Sequence, residues 1–124
     1  MVFSSAAAMG DMTGSLGAFG TPRGTVDGLL SRDGETLTIA VGGRFDFSLH
    51  DTFSLLYMKQ SAACTSFVID LSATTSLDSS ALGMLLLMRE RLGGDKADIT
   101  LAGSNLLVKR TLDMANFQGI FFVG

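Results

Sequence analysis

The sequence has few of the residues that build metal cages, disulfide frameworks or histidine-assisted catalytic sites. Cysteine and histidine occur once each, as Cys64 and His50. One cysteine excludes an internal disulfide and a cysteine-rich metal site. One imidazole, with no second histidine and no cysteine nearby, makes neither a zinc site nor a Cys–His nucleophile pair. Cys64 is expected to be a buried thiol, as free cysteines commonly are. Long apolar runs are also missing. The longest, Ala81 to Met88, is closed by Arg89 and Glu90, well short of the roughly 18–20 residues that span a bilayer. The N-terminus lacks the basic start and continuous apolar stretch of a secretory signal. Positive charge is sparse: 9 Lys+Arg stand against 12 Asp+Glu, for a net charge of −3. Nothing here makes the basic face that displaces counterions from nucleic acid. The expectation is a cytoplasmic protein with no nucleic-acid partner, no membrane insertion and no cofactor.

What is present suits one folded domain. The 124 residues are 47% hydrophobic and 17% charged, enough apolar material for an ordinary core. Residues 1–24 are rich in Gly, Ala, Ser, Thr and Met, show no sustained period and hold the only proline, Pro22. They read as a flexible or variable tail, ahead of a domain over 25–124.

From Leu37 onward the chain is periodic. Leu37, Ile39 and Val41 alternate with Thr38 and Ala40, the pattern of a half-buried strand that should end near Phe45-Asp46-Phe47. Ser48, with Asp51 three residues on, resembles a capping box. Leu49, Phe53, Leu56 and Tyr57 then share one face of a helix reaching about Ser61. Phe67 to Leu71 suits a central strand covered on both faces. Ser72–Leu77 reads as a polar loop. A second helix follows and ends at Gly93-Gly94. Ile99 and Leu101 mark another strand. Asn105 can cap a third helix with Leu107, Val108, Leu112 and Ala115 inward, and Ile120–Val123 is a last strand. Strands alternating with helices imply an α/β layer fold with parallel or mixed pairing.

Asp78-Ser79-Ser80-Ala81-Leu82-Gly83 is the most informative stretch. Three small polar residues open a helix directly after a loop. The free N–H groups and positive dipole end there suit an anion, so a serine at this place can carry a phosphate without destroying its helix. Asp and Ser are also the commonest N-caps, and capping alone explains the same residues. The run Ala81–Met88 is apolar on every face, more than a helix lying on a sheet requires. Part of it either packs unusually deep or is kept for a partner. Met84 and Met88 share a face at i, i+4, and methionine suits adaptable protein contacts. Gly83, costing about 1 kcal/mol relative to Ala in a helix, hints at a close backbone approach. Lys109-Arg110 reads as a solvated helix face, and Asp70 as a loop-anchoring acceptor.

From about Thr36 to Val123 the chain resembles the STAS family, named for sulfate transporters and anti-sigma-factor antagonists. Val41-Gly42-Gly43-Arg44-Phe45-Asp46 is similar to the family's strand-end block, hydrophobic-x-Gly-x-hydrophobic-Asp. Leu77 to Gly83 is similar to the phosphorylation block Asp-Ser-Ser-Gly-Leu-Gly, with Ala81 in place of its first glycine. Val108 to Met114 is similar to the third-helix block of the bacterial antagonists. The resemblance implies a single STAS-like domain, a mixed sheet of about four to five strands packed with three to four helices. The terminal helix of many antagonists has no counterpart before Gly124.

In the antagonist branch the resemblance implies partner switching. An anti-sigma factor that is also a serine kinase binds the unphosphorylated protein. It phosphorylates the second serine of the pair, here Ser80 with Ser79 the second choice, and the complex then separates. A metal-dependent serine phosphatase resets the switch. The partner surface implied comprises Asp46, Asp78, Ser79, Ser80, Ala81, Leu82 and Met84. The alternative is a STAS subunit of a scaffold or lipid-transport complex that is never phosphorylated. An enzyme reading has little to stand on, with no phosphate-binding Gly-Lys-Ser/Thr loop and no nucleophile beside a base.

Overall fold

A computed structural model of the chain describes residues 12–20 and 24–124. The strands are β1 (Met12–Gly20), β2 (Gly24–Ser31), β3 (Thr36–Phe45), β4 (Ser66–Asp70), β5 (Thr74–Leu77), β6 (Ile99–Ala102) and β7 (Phe122–Val123). The α-helices among the described residues are α1 (His50–Gln60), α2 (Ser79–Arg91) and α3 (Leu106–Met114). All seven strands join one sheet, in the order β1-β2-β3-β4-β6-β7, with β5 added against β3. β1, β2 and β3 run antiparallel as neighbours, and every other pair is parallel. The fold is the expected single α/β domain with a mixed sheet, but with more strands than the four to five expected.

Three strands lie where none was expected. Met12–Gly20, within the stretch read as a tail up to residue 24, pairs with β2; residues 1–11 and 21–23 lie outside the described residues. β2 buries Val26 and Gly28 on alternate positions, and a glycine at one of them hides the alternation from hydropathy. β5 stands in the segment read as a polar loop.

β3 is the spine of the sheet. Its ten residues pair along one edge with β2 from Gly24↔Gly43 to Leu30↔Leu37. Along the other edge, residues 36–40 pair with β4 and the segment from Gly43 to Phe45 pairs with β5. The handover occurs at Gly43, at φ 75°, where the register shifts and the Gly43 N–H donates to the Ala73 carbonyl at 2.9 Å. That left-handed backbone is open to glycine and strained for most other residues. The β4–β5 loop is anchored by Asp70, which accepts from the Ser72 N–H at 2.9 Å. The buried Thr74 hydroxyl donates to the Val41 carbonyl at 2.6 Å.

One continuous core unites the layers. Leu37, Ile39 and Val41 of β3, Ile69 of β4 and Leu101 of β6 are fully buried. Phe53, Leu56 and Tyr57 on α1 and Val108 and Leu112 on α3 close over the sheet. Leu107, expected inward, is instead 59% exposed: the short helix α3 buries only its Val108–Leu112 stripe, at i, i+4. The expected Ser48–Asp51 capping box also does not form. Asp46 caps the single 3-10 turn Phe47–Leu49 that leads into α1, accepting from the Ser48 N–H at 2.9 Å and its hydroxyl at 2.5 Å. Asn105 caps α3 as expected, accepting from the Val108 N–H at 2.9 Å.

Candidate functional site

Strand register assembles the site. Phe45 of β3 pairs with Leu77 of β5, so the next residues, Asp46 and Asp78, leave the sheet side by side. One turns into the 3-10 turn before α1, the other into α2. Each carboxylate caps the element it precedes. Asp78 is the N-cap of α2, its Oδ1 accepting from the Ala81 N–H at 3.1 Å. The same oxygen accepts a 2.6 Å hydrogen bond from the Ser80 hydroxyl.

Arg44 ties the two carboxylates together. Its Nε lies 3.2 Å from Asp46 Oδ2 and its Nη2 lies 3.7 Å from Asp78 Oδ2. Arg44 stands at a variable position of the strand-end block and is not among the site residues expected from the sequence. Arg44 lies in the last two residues of β3 and Asp46 just past its end, so the cation meets the carboxylate two places on.

The Asp78 carboxyl is held below the ordinary carboxylate value. The Ser80 hydroxyl is the largest cause; partial burial opposes it, and the N–H groups of Ala81 and Ser80 and the Arg44 charge act in the same direction as the hydroxyl. At neutral pH Asp78 is therefore a carboxylate that faces the Arg44 guanidinium on one oxygen and accepts from the Ser80 hydroxyl on the other. Away from the site, burial pushes the Cys64 thiol up, consistent with the buried, unreactive role expected of it.

The residues expected at a partner surface separate by depth. Ser79 is exposed, and Asp78, Ser80 and Leu82 are half-buried. Asp46, Ala81 and Met84 face inward at 5%, 0% and 5% exposure, and this corrects their placement on the surface. Ala81, Met84, Leu85 and Met88, at i, i+3, i+4 and i+7, are the stripe by which α2 packs on the core. Both methionines therefore belong to the core, and the apolar residues left outside are Leu86 and Leu87. Gly83 is likewise not a point of close approach, for a Cβ placed there meets nothing within 4 Å. Phe47, 62% exposed, stacks on His50 with ring centroids 4.7 Å apart. Among the described residues no cluster of His, Cys, Asp or Glu could hold a metal ion, and no helix is long and apolar enough to cross a membrane.

Comparison with known proteins gives this geometry its context. The family model described as Mlab, STAS domain, matches residues 29–123. A STAS-domain-containing protein of Pseudomonas aeruginosa strain UCBPP-PA14 is 44% identical over 96 residues, covering 77% of this chain and 95% of that protein. Among solved structures, an anti-sigma factor antagonist from Mycobacterium paratuberculosis superposes with a TM-score of 0.70 at 21% identity, over 85% of this chain and 89% of its own. The anti-sigma factor antagonist SpoIIAA in its unphosphorylated form gives 0.63 at 16% identity, over 73% and 80%. The Bacillus cell fate determinant SpoIIAA in its phosphorylated form gives 0.53 at 16% identity, over 73% and 83%. The structural likenesses show a shared fold; the family match and the Pseudomonas relative show that this chain belongs to the STAS domain family.

Proposed function

We propose that this protein is an anti-sigma-factor antagonist that works by partner switching, with Ser80 as its phosphorylation site. The observation that carries the reading is the setting of that serine. Its hydroxyl lies at the first turn of α2, half-buried and bonded to the cap carboxylate, on a fold shared with antagonists whose solved structures include a phosphorylated form. In the unphosphorylated state the surface around Ser79, Ser80 and Leu82 receives an anti-sigma factor that is itself a serine kinase. Phosphoryl transfer forms the Ser80 Oγ–P bond, breaks the bond between the β- and γ-phosphates of ATP and leaves ADP. The hydroxyl proton passes to a base of the kinase. A metal-dependent phosphatase hydrolyses the ester and restores the serine. The protein is the substrate of both reactions and catalyses neither.

Release follows from charge and desolvation. The phosphate brings about −1.5 to −2 charges beside Asp78, and closing a partner over that pair costs desolvation and like-charge repulsion. A loss of about 2–3 kcal/mol corresponds to roughly 30- to 150-fold in affinity. The test is calorimetry of the cognate kinase-type anti-sigma factor against wild type, Ser80→Ala, Ser80→Asp and the phosphoprotein. Wild type and Ser80→Ala should bind, the phosphoprotein should not, and Ser80→Asp should fall between. A second reading, an unphosphorylated subunit of a scaffold or lipid-transport complex, is favoured by the structural bond the Ser80 hydroxyl already makes. Equal binding by all four proteins would select it.

A further inference from the structure

We propose that Arg44 is the residue that receives the phosphate on Ser80, exchanging part of its contact with Asp78 for the new dianion and holding it doubly charged at neutral pH. The proposal rests on the partner-switching reading of Ser80 and adds to it the group within this chain that answers the modification.

Arg44 and Ser80 are already joined through a single carboxylate. The guanidinium approaches Asp78 at Oδ2 while the hydroxyl donates to Oδ1. The Nε contact with the buried Asp46 fixes the stem of the guanidinium at 3.2 Å. The contact with Asp78 is the looser one at 3.7 Å, and the Arg44 side chain is half exposed. One end of this cation is thus anchored and the other has room to turn.

Phosphorylation reverses the polarity at Ser80. The hydroxyl that donates to Asp78 becomes an ester oxygen with no proton to give, and the added oxygens only accept. Asp78 loses the bond that most depresses its pKa and gains a dianion as neighbour. Arg44 is the cation that the structure brings to this carboxylate. Guanidinium offers five donors in a planar fork, a geometry matched to phosphate oxygens. A swing about the Asp46 anchor lets the fork bridge the phosphate and Asp78, separating two like charges with one opposite charge. Neither group then has to be protonated to relieve the repulsion.

The test measures the phosphate itself. Phosphoserine is installed at position 80 during translation, and its second ionisation is followed by phosphorus NMR against pH in wild type, Arg44→Gln, Arg44→Lys and Lys96→Gln. The last is a control in the 3-10 turn Gly94–Lys96, beyond the C-terminal end of α2, a helix about 20 Å long. An opposite charge at 4–6 Å lowers an acid's pKa by about 1–3 units, less where solvent screens it. The phosphate in Arg44→Gln should therefore titrate about 0.5–1 unit higher than in wild type. Arg44→Lys should restore most of the shift, and Lys96→Gln should match wild type. A second measurement needs no substitution: the Arg44 Nε–H resonance of the wild-type phosphoprotein should move with the same midpoint as the phosphate. Identical phosphate titration in wild type and Arg44→Gln, or an Arg44 resonance that ignores the phosphate, overturns the proposal. No kinase enters either measurement, so these outcomes judge Arg44 alone, whereas equal partner binding by the four Ser80 forms judges the switch.

Discussion

Arg44 and Ser80 hold opposite oxygens of the Asp78 carboxylate, the guanidinium at Oδ2 and the hydroxyl, at 2.6 Å, on Oδ1. The pairing makes Asp78 at once the cap of α2, the acceptor for Ser80 and the counter-ion of β3. Several measurable properties of the protein depend on that shared carboxylate.

The first is the response to acid. Asp78 has a depressed pKa in the folded protein, with the Ser80 hydroxyl as the largest cause. For a carboxyl whose folded pKa lies below its unfolded value, the stabilisation is complete above the unfolded value of 3.8 and is lost as pH falls through the folded one. Carbon NMR of the Asp78 carboxyl should therefore titrate below 3.8 in wild type and move back towards it in Ser80→Ala. Asp78→Asn should lower stability at neutral pH and flatten the decline below about pH 4. An Asp78 titration unchanged by Ser80→Ala would show that the hydroxyl does not set it.

Gly83 offers the opposite kind of change. It sits exposed within α2, with open space where a Cβ would go. Gly83→Ala should stabilise the fold by about 0.5–1 kcal/mol, raising Tm by roughly 2–6 °C for a domain of this size. A fall in Tm on thermal unfolding would mean that the glycine backbone is needed there.

Gly43 should show the reverse sign. Its positive φ lies at the point where β3 passes from β4 to β5. Gly43→Ala should cost about 1–2 kcal/mol, read as a lower urea midpoint with unchanged m-value. Because the same stretch aligns Phe45 with Leu77, the substitution should also disturb the Arg44–Asp78 contact, visible as an upward shift of the Asp78 titration.

Removal of residues 2–23 should lower the unfolding midpoint, by about 1–3 kcal/mol in stability. β1 pairs with β2 across Met12↔Ser31 to Gly20↔Thr25, and each backbone hydrogen bond lost is worth about 1 kcal/mol net, offset by the chain entropy released. From the sequence alone the same truncation would be expected to cost almost nothing. An unchanged midpoint in chemical denaturation would restore that view and make β1 energetically idle.

How much was legible followed the strength of local signals. α1 announces itself by the 3.6-residue spacing of its apolar face, and α2 and α3 by their starts, where Asp78 and Asn105 cap as their residue types suggest. β3 and β4 show their apolar residues plainly. β5 is four residues of Thr-Thr-Ser-Leu, held by pairing with β3 and the Thr74–Val41 bond, neither of which leaves a hydrophobic trace. β1 shows no sustained apolar period, and in β2 the buried Gly28 has no side chain for hydropathy to register. The Asp78–Ser80 stretch could be singled out because helix starts have a chemistry of their own, and the choice of Ser80 within it came from the resemblance to the STAS family. The relation of Ser80 to Arg44 depends on two strands distant in sequence meeting in register, which no local pattern encodes. The depth of Ala81 and Met84 needed the structure too, since a helix apolar on all sides does not say which side is inside.

The parallel pairing of Phe45 with Leu77 has one more consequence. The Ser80–Asp78 bond joins near neighbours and can form in an isolated α2 segment, whereas Arg44 arrives only after a long stretch of chain has closed on itself, a slow and non-local event. A nascent or misfolded chain would present the serine without its cation. If Ser80 is phosphorylated as proposed, a kinase that reads both groups would distinguish finished protein from unfinished, and the strand register that brings Arg44 to the serine would also certify that folding is complete.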